Sequence, residues 1–326
     1  MLQYLIIILD DTSVSFCQYD NKRKECHIIS VDDLKKGILF AMKENLNIQF
    51  VYPEYELPQE YKDIINTIDH SNIVPSDCEE KILENADIVV LNGWDDLEAG
   101  RCRDGKTYVL RTDKARLFAK YQLLETITPL VARLNIVITD VETFVEEDFE
   151  TYKNVLAALS EHIEKLYAKG KNPQLNILTD RMMLDKMNNC NAGWENITLA
   201  PDGKFYVCPA FYFASEKENF GLGKTRYSIG GPGNGLDIKN PQLYRLDHAP
   251  LCRKCDAYQC RRCVWLNRKT TYEVNTPSHE QCVMAHLERN ASRELLSRIR
   301  QHGTFLPDRE DIKEIDYLDP FNIKEE

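Results

Sequence analysis

The sequence predicts an α/β protein in two parts: an N-terminal domain of alternating strands and helices on a parallel sheet, and a small cysteine-rich domain behind it. Three observations carry this expectation. Short runs of Ile, Val and Leu alternate with helical stretches through the first half of the chain. That alternation stops near residue 186. Seven of the eleven cysteines fall after residue 189.

The strand candidates are Tyr4–Leu9, Ile48–Val51, Ile88–Leu91, Tyr108–Leu110, Leu134–Ile138 and Leu175–Leu178. Each is a short apolar run bounded by polar or turn residues, as expected for strands covered on both faces. Helices are expected over Val31–Glu44, which opens with Asp32 and Asp33 near its positive end, over Asp113–Thr128, and over Asp148–Lys169 with Gly170 as the stop. Such repetition favours a parallel sheet, either open or curled into a partial (βα) barrel. The pattern alone does not separate the two.

From about residue 186 the pattern changes. Ile197–Leu199 and Phe205–Val207 flank Pro201-Asp202-Gly203 and read as a hairpin. The glycine-rich stretch from Gly221 to Gly235 lacks a strand before it and a helix after it. It reads as a surface loop, not a phosphate cradle. A last amphipathic helix starts at Pro277-Ser278, with Gln281 three residues after Ser278 in a capping-box arrangement, and runs to Gly303. The expected domains are therefore residues 1–185, 186–303, and an acidic tail over 304–326.

Composition narrows the function classes. With 43% hydrophobic and 29% charged residues the chain is globular in character, and its formal charge of -11 argues against a nucleic-acid binder. The run Tyr4–Leu9 is too short to span a bilayer and leads into Asp10-Asp11. No membrane or nucleic-acid partner is expected, and the cytoplasm is the expected compartment. In a reducing cytosol, eleven cysteines point to metal or redox work in preference to disulfides.

Cys17, Cys26, Cys78 and Cys102 are scattered without ligand-like spacing and read as isolated small hydrophobes. The other seven are ordered. Cys190 precedes Gly203 and Cys208. Cys252-x2-Cys255-x4-Cys260-x2-Cys263 forms a dense run, and Cys282 follows it. Seven thiolates exceed one metal centre and suggest two. Soft sulfur clusters select iron–sulfur centres or zinc, and spacing leaves both open. Arg253, Lys254, Arg261, Arg262, Arg268 and Lys269 crowd the same run. They suit an anionic cluster or an acidic leader peptide, and equally a solvated basic face.

The order C-x12-G-x4-C, gap, C-x2-C-x4-C-x2-C, gap, C resembles the SPASM domain, the auxiliary-cluster module of radical SAM peptide-maturation enzymes. The middle block here is tighter by one residue in each of two gaps. The segment Cys255–Asn267 with Glu273–Pro277 resembles more narrowly the CXXX repeat peptide maturases of bacterial peptide-modification clusters. The likeness is strong over residues 186–290, moderate from 130 and weak at the N-terminus. It implies a degenerate radical-SAM-like barrel followed by a SPASM-like domain with two [4Fe–4S] clusters. Cys252, Cys255, Cys260 and Cys282 would hold one cluster; Cys190, Cys208 and Cys263 would hold the other. Some relatives supply a fourth cysteine shortly after the first. None lies between Cys190 and Cys208, which leaves one iron to substrate, water or another ligand such as His248.

Radical SAM enzymes carry C-x3-C-x2-C after the first barrel strand. Here that stretch is Asp10-Asp11-Thr12-Ser13-Val14-Ser15-Phe16-Cys17, and the motif occurs nowhere in the chain. No S-adenosylmethionine is expected. Asp140, Glu142 and Asp180 follow predicted strands, where α/β sites sit, but read more simply as loop-start polar residues. The function expected is maturation of a cysteine-rich, ribosomally synthesised precursor peptide through auxiliary clusters, with a separate modifying enzyme or electron donor as a further partner. The rivals are a non-catalytic peptide scaffold for such an enzyme and a zinc-stabilised interaction protein.

Overall fold

The computed structural model describes residues 2–214 and 227–312. The glycines at 221 and 223 and most of the acidic tail, 313–326, lie outside them.

Strand and helix alternate as the apolar runs require. Tyr4–Ile8 (β1) leads through Val31–Glu44 (α1) to Asn47–Val51 (β2), then Gln59–Ile65 (α2), His70–Pro75 (β3), Glu80–Glu84 (α3), Ile88–Val90 (β4), Trp94–Glu98 (α4) and Thr107–Thr112 (β5). Two short helices, Lys114–Lys120 (α5) and Gln122–Ile127 (α6), precede Arg133–Ile138 (β6), and Glu146–Ala168 (α7) and Asn176–Met183 (α8) follow it. Strands β1 to β6 pair in parallel in sequence order, which is the order of a partial (βα) barrel.

On its free side β1 pairs in parallel with Asn196–Leu199 (β7), and Phe205–Tyr206 (β8) returns antiparallel as the expected hairpin. The sheet therefore runs through residue 186 into the cysteine-rich part of the chain. The remaining elements are Pro209–Phe213 (α9), the two-residue strands Gly230–Gly231 (β9) and Gly235–Leu236 (β10), Val264–Thr271 (α10) and His279–Gln301 (α11).

The two faces of the sheet have different company. Leu5, Ile7, Ile48 and Phe50 pack with α1 residues Leu34, Ile38 and Ala41 in one core. Period-two alternation turns Ile6, Val51, Ile73, Val90 and Val109 to the other face, where Val14 and Phe16 cover them. Each fully buried aliphatic side chain contributes about 1.5–3 kcal/mol. The segment that supplies Val14 and Phe16 follows β1 directly; residues 10–29 act as a strap across the inner face. Helix α1 approaches the sheet at Gly37, where a Cβ would lie 2.2 Å from Leu199 Cδ2. No larger residue fits there unless the Leu199 side chain moves.

Four expectations need correction. Leu175–Leu178 is not a strand. Leu175 makes a single parallel bridge to Leu134, after which the Asn176 side chain bonds both Ile136 N (2.8 Å) and Ile136 O (2.9 Å). With the ladder positions of β6 filled by a side chain, the backbone turns into α8. The helix expected over 113–128 is broken at Tyr121. Strand β3 escaped notice because His70, Ser71 and Asn72 dilute its apolar run. Asp180 is no loop residue: it sits in α8, 7% exposed, and accepts two bonds from Arg133 at 2.8 and 2.6 Å. Among the described residues no helix is long and apolar enough to cross a membrane.

Candidate metal centres

Two sets of four thiols emerge once the chain is folded. In the first, Cys17, Cys190, Cys208 and Cys263 each lie close enough that one thiolate's charge raises another's pKa, and this holds for all six pairs. In the second, Cys252, Cys255, Cys260 and Cys282 are coupled in the same way through all six pairs. The second set also lines one part-enclosed cavity, closed by Arg262, Gln281 and His286.

Local structure explains the positions. Cys208 is the N-cap of α9, and Cys263 is the N-cap of α10. Free N–H groups at these helix starts favour a thiolate: Ala210 N–H donates toward the Cys208 sulfur, and Trp265 and Leu266 toward that of Cys263. Cys190 receives the Ala192 N–H, and its own N–H donates to Arg261 O at 2.9 Å, which fixes it beside the dense cysteine run. Two residues beyond each sulfur, Ala257 N and Arg262 N sit 3.4 Å from Cys255 Sγ and Cys260 Sγ. Cys282 lies in the first turn of α11, its own N–H donating to Ser278 O.

Burial pushes all eight thiols above their ordinary value, and neighbouring sulfurs raise most of them further. Cys260 rises to about 11 and Cys252 and Cys263 to about 12. By accessible area Cys190 is the one exposed member of the eight; crowding around its sulfur still dominates its shift. Shifted this way, the groups stay protonated and uncharged; a metal centre at either set would take their protons away.

The basic residues divide. Arg253, Lys254 and Arg261 are exposed, and Arg261 lies 3.9 Å from Asp180. Arg262 is not a surface residue: it is 1% exposed, its backbone is left-handed at φ 44°, and its guanidinium donates to Tyr244 O at 2.6 Å. A peptide does not reach it. Instead its charge acts on Cys252, Cys190 and Cys260, which places it between the two thiol sets. Its Nε and Nη1 are buried without a protein partner among the described residues. An orphaned buried guanidinium is costly unless an anion completes it.

Around the second set, Asp256 pairs with Arg289, both side chains no more than 5% exposed, and His286 Nε2 lies 3.5 Å from Cys255 Sγ. His248 is not a candidate ligand for the first set, because its side chain is 46% exposed and sits against Asp247 at 3.1 Å. Asp140 accepts from Lys114 N, and Glu142 pairs with Lys269. At the C-terminal ends of β5 and β6 a cleft of about 310 Å3 opens, lined by Lys22, Arg111, Arg116 and Lys269 with Asp20, Asp113 and Trp265.

Sequence reasoning named seven of these eight thiols as candidate ligands and left out Cys17, which no spacing rule connects to residues more than 170 positions away. The signal that was available is its place just after the first strand, on the face of the sheet where α/β sites gather.

No family profile and no curated protein matches the chain. Solved structures do. The chain is similar to anSMEcpe, an anaerobic sulfatase-maturating radical SAM enzyme with a SPASM domain. Its native form with bound AdoMet and Cp18Cys peptide matches at TM-score 0.60 and 11% identity, covering 92% of this chain and 100% of that one. A hexahistidine-tagged form with bound AdoMet matches at TM-score 0.62, 11% identity and the same coverage. At such identity the likeness concerns architecture alone: the chain shares the overall fold of that enzyme.

Proposed function

We propose that the chain is an iron–sulfur protein acting in the maturation of a cysteine-rich, ribosomally synthesised peptide, with a [4Fe–4S] cluster at each thiol set. The observation that carries this reading is the pairing of two mutually coupled sets of four thiols with a buried Arg262 guanidinium between them, two of whose nitrogens lack a protein partner among the described residues. Thiolate sulfur is the donor such clusters take, and Arg262 supplies a counter-charge to both. Thiol spacing supports a cluster over a single ion. Four thiolates on one zinc sit about 3.8 Å apart, given Zn–S bonds of about 2.3 Å in a tetrahedron. Among the described residues, the one group of three or more candidate ligand atoms lying within 4.8 Å of one another is from Cys255, Asp256 and His286. A cubane, larger than an ion, suits the wider spacing. When bound, such clusters supply one-electron transfer.

The peptide is assigned to the basic cleft at the strand ends. Tyr19, Phe213 and Trp265 on its wall also surround the first thiol set, so a segment bound there lies beside that centre. Lys22, Arg111, Arg116 and Lys269 suit an acidic leader.

A scaffold reading, in which the chain presents peptide to a separate modifying enzyme, gains from one further observation. Val14 and Phe16 cover part of the inner face of the sheet, packing on Ile6, Val51, Ile73, Val90 and Val109. Anaerobic purification with metal and sulfide analysis tests the cluster reading, and a colourless zinc protein would end it. Modification of the peptide that survives Cys263→Ala, with the second set intact, would favour the scaffold.

A further inference from the structure

We propose that Cys17, on the strap after β1, is the fourth ligand of the first cluster, so that this site is closed by four thiolates and has no open iron. The inference rests on the cluster reading above and adds a residue that the cysteine pattern of the C-terminal half does not contain.

The strap is tied to the metal site by contacts that do not involve sulfur. Tyr19, two residues after Cys17, stacks on Phe213 with ring centroids 5.5 Å apart and planes within 10°. Arg23 donates to Tyr212 O at 2.7 Å and lies 4.1 Å over the Tyr212 ring, whose hydroxyl bonds Asp11. Tyr212 and Phe213 belong to α9, the helix that Cys208 caps. On the other side, Arg111 at the end of β5 donates to Cys17 O at 3.0 Å and also to Tyr19 O. The Cys17 carbonyl is thus held to the barrel, and the Tyr19 side chain to the helix that carries a ligand.

Packing gives the same answer. Cys17, Cys208 and Cys263 flank one core together with Tyr19, Phe211 and Trp265. The bland alternative, a small hydrophobe in a gap, describes Cys78 and Cys102 well. Cys78 Sγ faces Pro53 O at 3.7 Å with carboxylates as its charged neighbours, and Cys102 feels Asp96. Among the described residues neither feels another thiolate's charge. Cys17 feels three, those of Cys190, Cys208 and Cys263, with Arg111 and Arg261 to offset them. His248, the other candidate for the place, is exposed and turned toward Asp247.

Loading would break the Cys17 S–H bond, release the proton to solvent and form an S–Fe bond, with no change in oxidation state. The chain would then hold eight ligands in two sets of four, and its degenerate barrel, though lacking the C-x3-C-x2-C motif, would keep one thiol at the same loop for a different centre.

The test uses the anaerobically purified full chain and its Cys17→Ala and Cys102→Ala variants, compared by iron content, Mössbauer and electron paramagnetic resonance spectra. Cys17→Ala is expected to lose about one iron of eight on mild oxidation, to give a three-iron signal, and to shift its spectrum when a small thiol is added. Wild type and Cys102→Ala are expected to do none of these. Should Cys17→Ala misfold, native protein gives the answer through alkylation read by mass spectrometry. Cys17 is expected to become reactive together with Cys190, Cys208 and Cys263 as a chelator strips iron. A Cys17 that instead stays protected like Cys78, or a variant spectroscopically identical to wild type, overturns the assignment. A wild type without iron would overturn the cluster reading itself, which separates the two failures.

Discussion

Tyr19 and Phe213 stack face to face, 5.5 Å between centroids, and this one contact joins the segment after the first strand to the helix that begins at Cys208. Offset aromatic pairs add about 0.5–1.5 kcal/mol beyond burial, and removal of a buried aromatic side chain costs about 3–5 kcal/mol in all. Tyr19 is 3% exposed. Tyr19→Ala is therefore expected to destabilise the chain by about 3 kcal/mol and to speed proteolysis within residues 10–29, with metal loss from the first thiol set ahead of the second. Limited proteolysis with iron analysis of the products checks it; equal metal loss from both sets would disconnect the strap from the site.

Asp256 and Arg289 form a buried ion pair directly beside Cys255. Removing one partner of such a pair costs on the order of 3–5 kcal/mol, because the other is left charged and unpaired. Arg289→Leu should cost that much, while Asp256→Asn/Arg289→Leu together should cost less than the single change. Denaturant titration of both single variants, Arg289→Leu and Asp256→Asn, and of the double is the measurement; strict additivity would mean that the pair is not coupled.

Glu288 is half-buried in α11, where it accepts from Tyr152 Oη at 2.8 Å, and desolvation raises its carboxyl from 4.5 to about 7. The folded chain therefore keeps a proton that the unfolded chain has released between pH 4.5 and 7. Stability from this group is full below the lower value and falls as pH rises through the upper one, by on the order of 2–3 kcal/mol. Glu288→Gln should flatten that slope while Tyr152 keeps a hydrogen-bond partner. Melting temperature against pH decides it, and an unchanged slope in the variant refutes the assignment.

Much of this was legible from the chain alone, and the failures share a cause. The apolar runs of β1, β2, β4, β5 and β6 are dense enough to overrule local ambiguity, and Ser30, Asn45 and Ser278 cap helices through side chains or φ values that their residue types favour. Seven cysteines announced themselves by spacing. Leu175–Leu178 misled because three apolar residues in four suit a strand or a buried helix, and the choice was made by an Asn176 side chain bonded to another strand. Arg262 looked like part of a basic surface because charge in a sequence does not say which way it points. Cys17 was invisible for the plainest reason: its neighbours come from the far end of the chain.

Arg262 lies between the two thiol sets with two nitrogens unpartnered. A unit charge about 6–8 Å from a cluster at an effective dielectric of about 20 is worth roughly 2–3 kcal/mol, or on the order of 100 mV for one electron. A cation favours the reduced, more negative cluster. Arg262→Gln is expected to shift both reduction potentials negative by that order, whereas Arg253→Gln on the surface should leave them within about 20 mV, as solvent screening requires. Potentiometric titration followed by electron paramagnetic resonance measures it; a shift at one centre alone would move Arg262 out of the shared position.

Iron and acid-labile sulfide in the anaerobically purified chain bear most directly on two inorganic centres built from converging thiols. Two four-iron clusters require about eight of each per chain, with a brown protein whose visible absorption bleaches on reduction. A colourless chain with zinc and no sulfide would contradict the account at its base.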